Sequence, residues 1–157
     1  MIKLRTLLNE IALKNLVKIE SYFDEDDEYA EDLDQRLDDA NVDWERESKI
    51  TLLDPNKIKA SEWNSSDDDP NDPKVIRMTK TDPSKFPPIL AVKKGSGYEV
   101  IDGIHRVHAF RIIGYLIPAI VISQKLEFEL ATHDTKMVDF MNSKYQNSNI
   151  PTTKKIK

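Results

Sequence analysis

The segment Asp102-Gly103-Ile104-His105-Arg106 combines residue types that can hold an anion and move a proton. It lies between a β-type run at residues 98–101 and an apolar run at residues 104–113 that predicts a helix. The first N–H groups of a helix have no intrahelical acceptor, and the helix dipole is positive there. Gly103 permits close approach of the backbone, Arg106 offers a planar fork of donors to phosphate oxygens, and His105 can donate a proton. This turn is therefore a predicted phosphate-binding site.

A purely structural interpretation of the turn fits the spacing equally well. Asp102 would cap the helix, Gly103 would only make the turn, and Arg106 would pair with a carboxylate from the acidic half of the chain. His105 and His108 are three residues apart, and two such side chains can approach one metal ion from a helix face. Because no third ligand accompanies them, no metal site is predicted.

The elements around the turn follow from proline, glycine and apolar runs. Pro87-Pro88 predicts an extended entry into a strand at residues 89–92, and residues 93–97, Lys-Lys-Gly-Ser-Gly, predict a hairpin connection to residues 98–101. Gly114 stands where a helix C-terminus often needs a left-handed residue, and residues 119–122 form a last predicted strand. A further helix is expected around residues 137–141, and residues from about 142 onward are expected to be disordered.

Three Asp-Pro pairs occur in the part of the chain that precedes the hairpin. Residues 50–53 predict a short strand, and Asp54-Pro55 should open a brief helix after it as N-cap and N1 residues. Asp72-Pro73 is predicted to open a second helix after the polar loop at residues 65–73. Asp82-Pro83 is predicted to end that helix.

The first 47 residues predict an acidic helical arm. Leu4, Leu7, Leu8 and Ile11 have helical spacing, which predicts a helix over residues 2–20. A second amphipathic helix follows the acidic run at residues 24–28 and presents Tyr29, Leu33, Leu37, Ala40 and Trp44 on one face. Most of its carboxylates are interpreted as a solvated face. A sharper hypothesis is that the arm covers the basic middle of the chain or imitates a polyanion.

The uneven distribution of charged residues along the chain restricts the kinds of ligand to be expected. Residues 1–72 hold 9 basic and 21 acidic residues, whereas residues 73–125 hold 9 basic and 3 acidic ones, so the middle is suited to an anionic ligand. Attraction between the two halves of the chain explains the asymmetry equally well.

The 157 residues include no cysteine, which excludes a disulfide framework and a thiol nucleophile. No signal peptide and no membrane span are recognisable, so a cytoplasmic protein without a membrane partner is expected.

Residues 86–92, the hairpin, residues 98–109 and residues 117–121 together resemble the ParB/sulfiredoxin superfamily. The resemblance covers about half the chain, residues 48–123, and its most specific element is the order Pro-Pro-strand, hairpin, Asp-Gly-x-His-Arg, helix, Gly, Pro-strand. It implies an α+β fold with a small mixed sheet and helices, preceded here by the acidic helical arm. It also implies that nucleotide phosphates bind at the N-terminus of the helix that Asp102-Gly103 opens. The predicted parts of the chain are residues 1–47, 48–125 and 126–157.

Departures from the family subgroups narrow the expected activity. The catalytic cysteine of sulfiredoxins would fall at Ile104, so that activity is excluded. Partition-type ParB proteins carry Glu-Arg-Arg in the turn and a helix-turn-helix region downstream, which this chain does not match. The turn looks most like the Asp-Gly-His-His-Arg form of the free-serine kinase branch and of small phage and plasmid proteins, with Ile104 in place of one histidine. The glutamate base of the kinase branch would correspond in region to Glu62, for which a solvated loop carboxylate is the alternative.

Three functions follow as hypotheses. In the first, Gly103, Ile104, His105 and Arg106 bind a nucleoside triphosphate or diphosphate, with Mg²⁺. Asp102, His105 and Glu62 would then carry out phosphoryl transfer or hydrolysis. In the second, the chain is a non-catalytic phage or plasmid regulatory module that binds a protein partner through the acidic helix at residues 24–47. The third, a ParB-like nuclease, ranks last because an acidic protein repels nucleic acid unless its basic face is exposed.

Overall fold

The computed structural model describes residues 27–132, 137–145 and 149–157, and these residues surround one mixed sheet of five strands. The strands are β1 (Ser48–Leu53), β2 (Ile58–Ala60), β3 (Ile89–Lys94), β4 (Gly97–Asp102) and β5 (Ile117–Ile122). The helices are α1 (Asp27–Asp39), α2 (Pro73–Met78), α3 (Ile104–Ile113), α4 (Gln124–Thr132) and α5 (Met137–Lys144). The predicted helix over residues 2–20 and His133 lie outside the described residues.

The strand order is β1-β5-β3-β4-β2, and both parallel and antiparallel pairs occur. β3 and β4 form the predicted antiparallel hairpin, which turns at Gly95 and Ser96. α3 then crosses over the sheet to β5, which pairs in parallel with β3. β1 pairs antiparallel with β5, and the three-residue strand β2, which the sequence did not predict, pairs in parallel with β4. This arrangement confirms the α+β class and the small mixed sheet.

The sheet separates two apolar cores because successive side chains of a strand point to opposite faces. On one face, Leu90 and Val92 of β3 pack with α1, α4 and α5. On the other face, Ile89 and Ala91 of β3 pack with α3. α2 joins this second face, since its Met78 packs against that core. The turn that opens α3 therefore belongs to the face opposite to α1.

All three Asp-Pro pairs cap short helices. In each pair the aspartate Oδ1 accepts a hydrogen bond from the backbone N–H two residues later, at 2.8 to 3.0 Å. The pairs at Asp54 and Asp72 act as predicted, and Asp72 opens α2. The prediction for Asp82 was wrong, because α2 already ends at Met78 and Asp82 opens a separate 3-10 turn at Pro83–Lys85.

Helix α1 is shorter than predicted. It ends at Asp39, and Asn41 adopts the left-handed conformation with φ 59°, so that the N–H of Val42 reaches the carbonyl of Leu37 at 2.8 Å. This left-handed termination turns the chain before Trp44, which instead meets Tyr145 of the segment after α5 edge to face at 5.8 Å. Leu33 and Leu37 are buried in the core of the sheet, as their spacing predicted.

The C-terminal part differs from expectation in two ways. Helix α4, in which Leu126 and Leu130 are buried, was not predicted, whereas α5 was. Residues 149–157 were expected to be disordered, but the N–H of Leu116 donates to the carbonyl of Lys154 and the N–H of Ile156 donates to that of Gly114, both at 2.9 Å. The short stretch between α3 and β5 has free backbone groups. The polar tail pairs with them through its own backbone and through the Thr153 hydroxyl, which donates to the carbonyl of Leu116.

Candidate functional site

The turn from β4 into α3 is built around Gly103, which the helix uses as its N-cap residue with φ 112° and ψ 29°. L-residues rarely adopt this conformation. A Cβ at this position would lie 2.5 Å from Cγ2 of Ile89 and 3.0 Å from Nη2 of Arg106. Only glycine fits here, and it provides no side chain to cap the helix. The first backbone N–H groups of α3 are therefore not capped by the residue that precedes them.

Arg106 connects this turn to the residues that precede β3 through hydrogen bonds. Its Nη1 donates to the carbonyl oxygens of Pro87 and Pro88 at 2.7 and 2.9 Å, and its Nη2 donates to Oδ2 of Asp102 at 3.0 Å. The Arg106 side chain is only 12% exposed. The guanidinium thus holds three segments together, and its direct partners are protein oxygens rather than open solvent. Among the described residues, Arg106 pairs with the neighbouring Asp102 rather than with a carboxylate of the acidic half.

Ile104 and His105 diverge at the start of the helix. The side chain of Ile104 is buried in the second core with Ile89 and Val107, so only its backbone can serve a ligand. His105 instead turns toward the loop that precedes α2, and its Nε2 lies 3.4 Å from Oδ2 of Asp72. That Nε2 is shielded from solvent and makes no hydrogen bond. His105 is therefore a partly buried side chain whose Nε2 is shielded from solvent and makes no hydrogen bond.

Asp72 is held in place by its role as the N-cap of α2. Its Oδ1 accepts from the N–H of Lys74 at 2.8 Å, which leaves Oδ2 to face His105. The hydrogen bond from Lys74 lowers the pKa of Asp72 below its ordinary value, and the nearby charges of His105 and Lys74 act in the same direction, while burial opposes them. A carboxylate that stays ionised thus stands beside the first turn of α3.

His108 is the more deeply buried histidine of the pair. It is 5% exposed, its Nε2 is 2.8 Å from Oδ1 of Asp68, and its Nδ1 is 3.1 Å from Nη1 of Arg111. An arginine can only donate, so Nδ1 is the acceptor and the ring proton resides on Nε2. Arg111 also donates to the backbone carbonyls of Pro55 and Ile58. His108 therefore ties the acidic loop before α2 to the middle of α3.

Glu62 lies elsewhere. It follows β2, and it lines an open depression together with Lys94, Glu99 and Glu127, whose lining includes no residue of the α3 turn. Glu99 is two residues from Ile101, whose side chain belongs to the core of α1 and α4, so the depression opens on the face opposite to α3. Lys94 faces both Glu99 and Glu127, at 3.7 and 3.9 Å.

The structure thus brings most of the predicted site residues together at the α3 turn: Asp102, Gly103, the backbone of Ile104, Arg106 and, beside them, His105. Glu62 does not belong to this group. Sequence reasoning missed the carboxylates of Asp68 and Asp72, which meet the two histidines. Their only signal was the density of aspartates at residues 67–72, which a polar loop explains equally well. The pairing of each histidine with its own aspartate separates the two imidazoles.

The α3 turn does not form a metal centre of its own. Oδ2 of Asp102 already accepts from Arg106, and Asp72 and Asp68 each face a histidine. Among the residues that the structure describes, no three carboxylate or imidazole side chains converge as a group that could hold a metal ion. A Mg²⁺ ion at this turn would depend on oxygens supplied by a ligand.

Comparison with known proteins gives a limited result. No protein-family model matches the chain, and no curated protein matches it. Among solved structures, the chain is similar to a sulfiredoxin from Arabidopsis thaliana, with 21% identity and a TM-score of 0.36 over 52% of this chain and 97% of that one. A likeness at this identity concerns the fold alone. Within the described ranges, no helix has both the length and the apolar character needed to cross a membrane.

Proposed function

We propose that the chain binds a nucleotide through its phosphates at the N-terminus of α3. The observation that carries the proposal is the Nε2 of His105, which is buried beside the first turn of the helix and makes no hydrogen bond. Gly103 caps this helix without a side chain, so no cap residue competes with an anion for the first N–H groups and the positive end of the dipole. A phosphate oxygen at this place would accept from the backbone and, once the ring of His105 turns away from Asp72, from the imidazole.

Arg106 has a positioning role in this proposal. Its guanidinium donates to Pro87, Pro88 and Asp102, and these contacts fix the path of the backbone on which the amide donors depend. The glycine conformation and the arginine contacts together preorganise the turn, which reduces the entropy lost when an anion binds.

Binding without turnover is the form of the proposal that the geometry favours. Glu62 lines the depression on the other face of the sheet, and Asp102 is engaged by Arg106, so the side chains proposed for proton transfer do not converge. This arrangement supports a nucleotide-responsive binding module over a phosphotransferase, a hydrolase or a nuclease. Phosphoryl transfer depends on positioned groups around the reacting phosphate.

Isothermal titration calorimetry with ATP, ADP and CTP, each with and without Mg²⁺, tests the proposal. We expect binding by the native chain and at least about tenfold weaker binding after His105→Ala, since a hydrogen bond to a charged group contributes roughly 1.5 to 3 kcal/mol. Lys49→Ala is the matched control, because Lys49 is an exposed cation on the edge strand β1. No heat at millimolar nucleotide, or equal losses in both variants, would overturn the proposal. Release of phosphate from bound ATP would contradict binding without turnover.

A further inference from the structure

Three cations project from α2 and the turn that follows it. Residues 73–81 contain Lys74, Arg77 and Lys80 and no acidic residue, and all three side chains are exposed. The ion pairs of the described residues include none of these three. The carboxylates that flank the segment, Asp72 and Asp82, are held as helix caps. We call Lys74, Arg77 and Lys80 the basic ridge.

The basic ridge starts at the proposed phosphate site. Asp72, the N-cap of α2, faces His105 in the first turn of α3, so the N-termini of the two helices are adjacent. Lys74 lies two residues beyond that cap. At a rise of about 1.5 Å per residue, Lys74 and Arg77 are about 4.5 Å apart along the axis of α2, and Lys80 follows in the turn beyond Met78. In duplex DNA each strand carries a phosphate about every 3.4 Å along the helix axis, and an unpaired strand can extend further. The ridge is therefore long enough to face about two phosphates of a single strand.

The acidic helix of the same chain does not cover this ridge. α1 packs on one face of the sheet through Leu33 and Leu37, whereas α2 packs on the other face through Met78. Within the part of the chain that the structure describes, the basic ridge is therefore free to meet an external polyanion, despite the net charge of −5. Ile76, which is 45% exposed beside these cations, provides apolar surface for a base or a ribose.

We infer that the basic ridge binds the phosphate backbone of a single-stranded nucleic acid whose terminal phosphate occupies the site at the N-terminus of α3. The position of that terminal phosphate rests on the proposed function. A repeated phosphate chain fits the observations better than an acidic protein surface does, because the ridge adjoins the first turn of α3, whose N–H groups have no side-chain cap.

The test is fluorescence anisotropy with a 5′-phosphorylated oligothymidylate about 12 nucleotides long, labelled at its 3′ end. The ridge variant is Lys74→Gln/Arg77→Gln/Lys80→Gln, and the control is Lys49→Gln/Lys125→Gln/Lys155→Gln, which removes three exposed charges elsewhere. We expect the ridge variant to bind about tenfold more weakly at about 50 mM salt, with the salt slope reduced by about 2. The control should differ from the native chain by less than about twofold.

The outcomes separate this inference from the proposed function. Calorimetry with ATP on the ridge variant should give nearly native affinity. Loss of oligonucleotide binding with ATP binding kept supports the inference. Oligonucleotide binding through the ridge without any ATP binding supports the ridge and overturns the mononucleotide site. Equal weakening in both triple variants, or no weakening in either, overturns the inference. A native dimer that dissociates in the ridge variant without oligonucleotide binding also overturns it and assigns the ridge to a second copy of the chain.

Discussion

Gly103 and Ile89 approach so closely that a methyl group on Gly103 would lie 2.5 Å from Cγ2 of Ile89. The contact joins the start of α3 to the start of β3, and the positive φ of Gly103 adds a second restriction at the same residue. The anion-binding geometry proposed for this turn therefore depends on a position where sterics and conformation both require glycine.

Gly103→Ala should destabilise the fold by about 3 kcal/mol, since left-handed strain and overpacking each contribute roughly 1 to 3 kcal/mol. Gly95→Ala is the matched control, because Gly95 also has a positive φ, of 59°, but no atom lies within 4 Å of the added Cβ. It should lose only about 1 kcal/mol. Urea unfolding followed by circular dichroism measures both losses, and equal values would contradict the close packing at Gly103.

Replacing Arg106 should affect stability as well as ligand affinity. Lysine cannot reach Pro87, Pro88 and Asp102 at once, so Arg106→Lys should destabilise the chain by about 2 to 3 kcal/mol. Asp102→Asn keeps both proline contacts and should lose under about 1 kcal/mol. Thermal unfolding of the two variants is the measurement. A weaker affinity for ATP without any change in the melting temperature of Arg106→Lys would show that the arginine contacts the ligand directly.

Asp72→Asn should strengthen nucleotide binding. Asparagine retains the N-cap function, whereas the substitution removes a negative charge that stands 3.4 Å from Nε2 of His105. We expect about threefold tighter binding of ATP at low salt, and less at high salt because exposed charges are screened. Asp82→Asn makes the same change at a cap that faces no histidine and should leave the affinity unchanged. Tighter binding in both variants would indicate a general charge effect.

Two helix caps should make stability depend on pH. Hydrogen bonds from the backbone N–H groups of Lys74 and of Ser84 lower the pKa values of Asp72 and Asp82 below 3.8. A carboxylate with a lowered folded-state pKa contributes stability above its unfolded pKa and loses it as the pH falls through the folded value. The Asp72→Asn/Asp82→Asn variant should therefore lose less stability than the native chain when the pH falls from about 6 to about 3. Urea midpoints at both pH values test this, and parallel losses would contradict it.

The imidazole of His108 should occupy one tautomer. Arg111 donates to its Nδ1, so Nε2 carries the proton and donates to Asp68. Long-range ¹H–¹⁵N spectra near neutral pH should show a protonated Nε2 and an unprotonated Nδ1. His108→Phe should destabilise the chain by about 2 kcal/mol, because Arg111 and Asp68 would each lose a hydrogen-bonding partner in a partly buried place. The opposite tautomer in these spectra would refute the proposed direction of the two bonds.

Local signals sufficed for four of the five strands, β2 being the exception, and for the turns around the site. The hairpin, Gly103, Gly114 and the caps at Asp54 and Asp72 were predictable because each depends on residues adjacent in sequence. The partners of Arg106 were not predictable, since two of them are backbone carbonyls 18 and 19 residues away whose position only the folded sheet determines.

The placements of Glu62 and of the C-terminal tail escaped prediction for a related reason. The face on which Glu62 lies is determined by the pairing of β2 with β4 and by Asn64, which donates to the carbonyls of Val100 and Ile101. The tail is held by backbone atoms of residues 114–116. Neither the position of Glu62 nor the pairing of the tail can be recognised from residue types or from their spacing.

The hydrogen-bond acceptors of Arg106 imply that positions 102 and 106 differ in how well they tolerate substitution. Two of the three are peptide oxygens, which persist whichever residues come to occupy positions 87 and 88. Only the third, the carboxylate of Asp102, can be removed by a substitution. In diverging descendants of this chain, position 102 should therefore vary more freely than position 106, even though the two side chains form one ion pair.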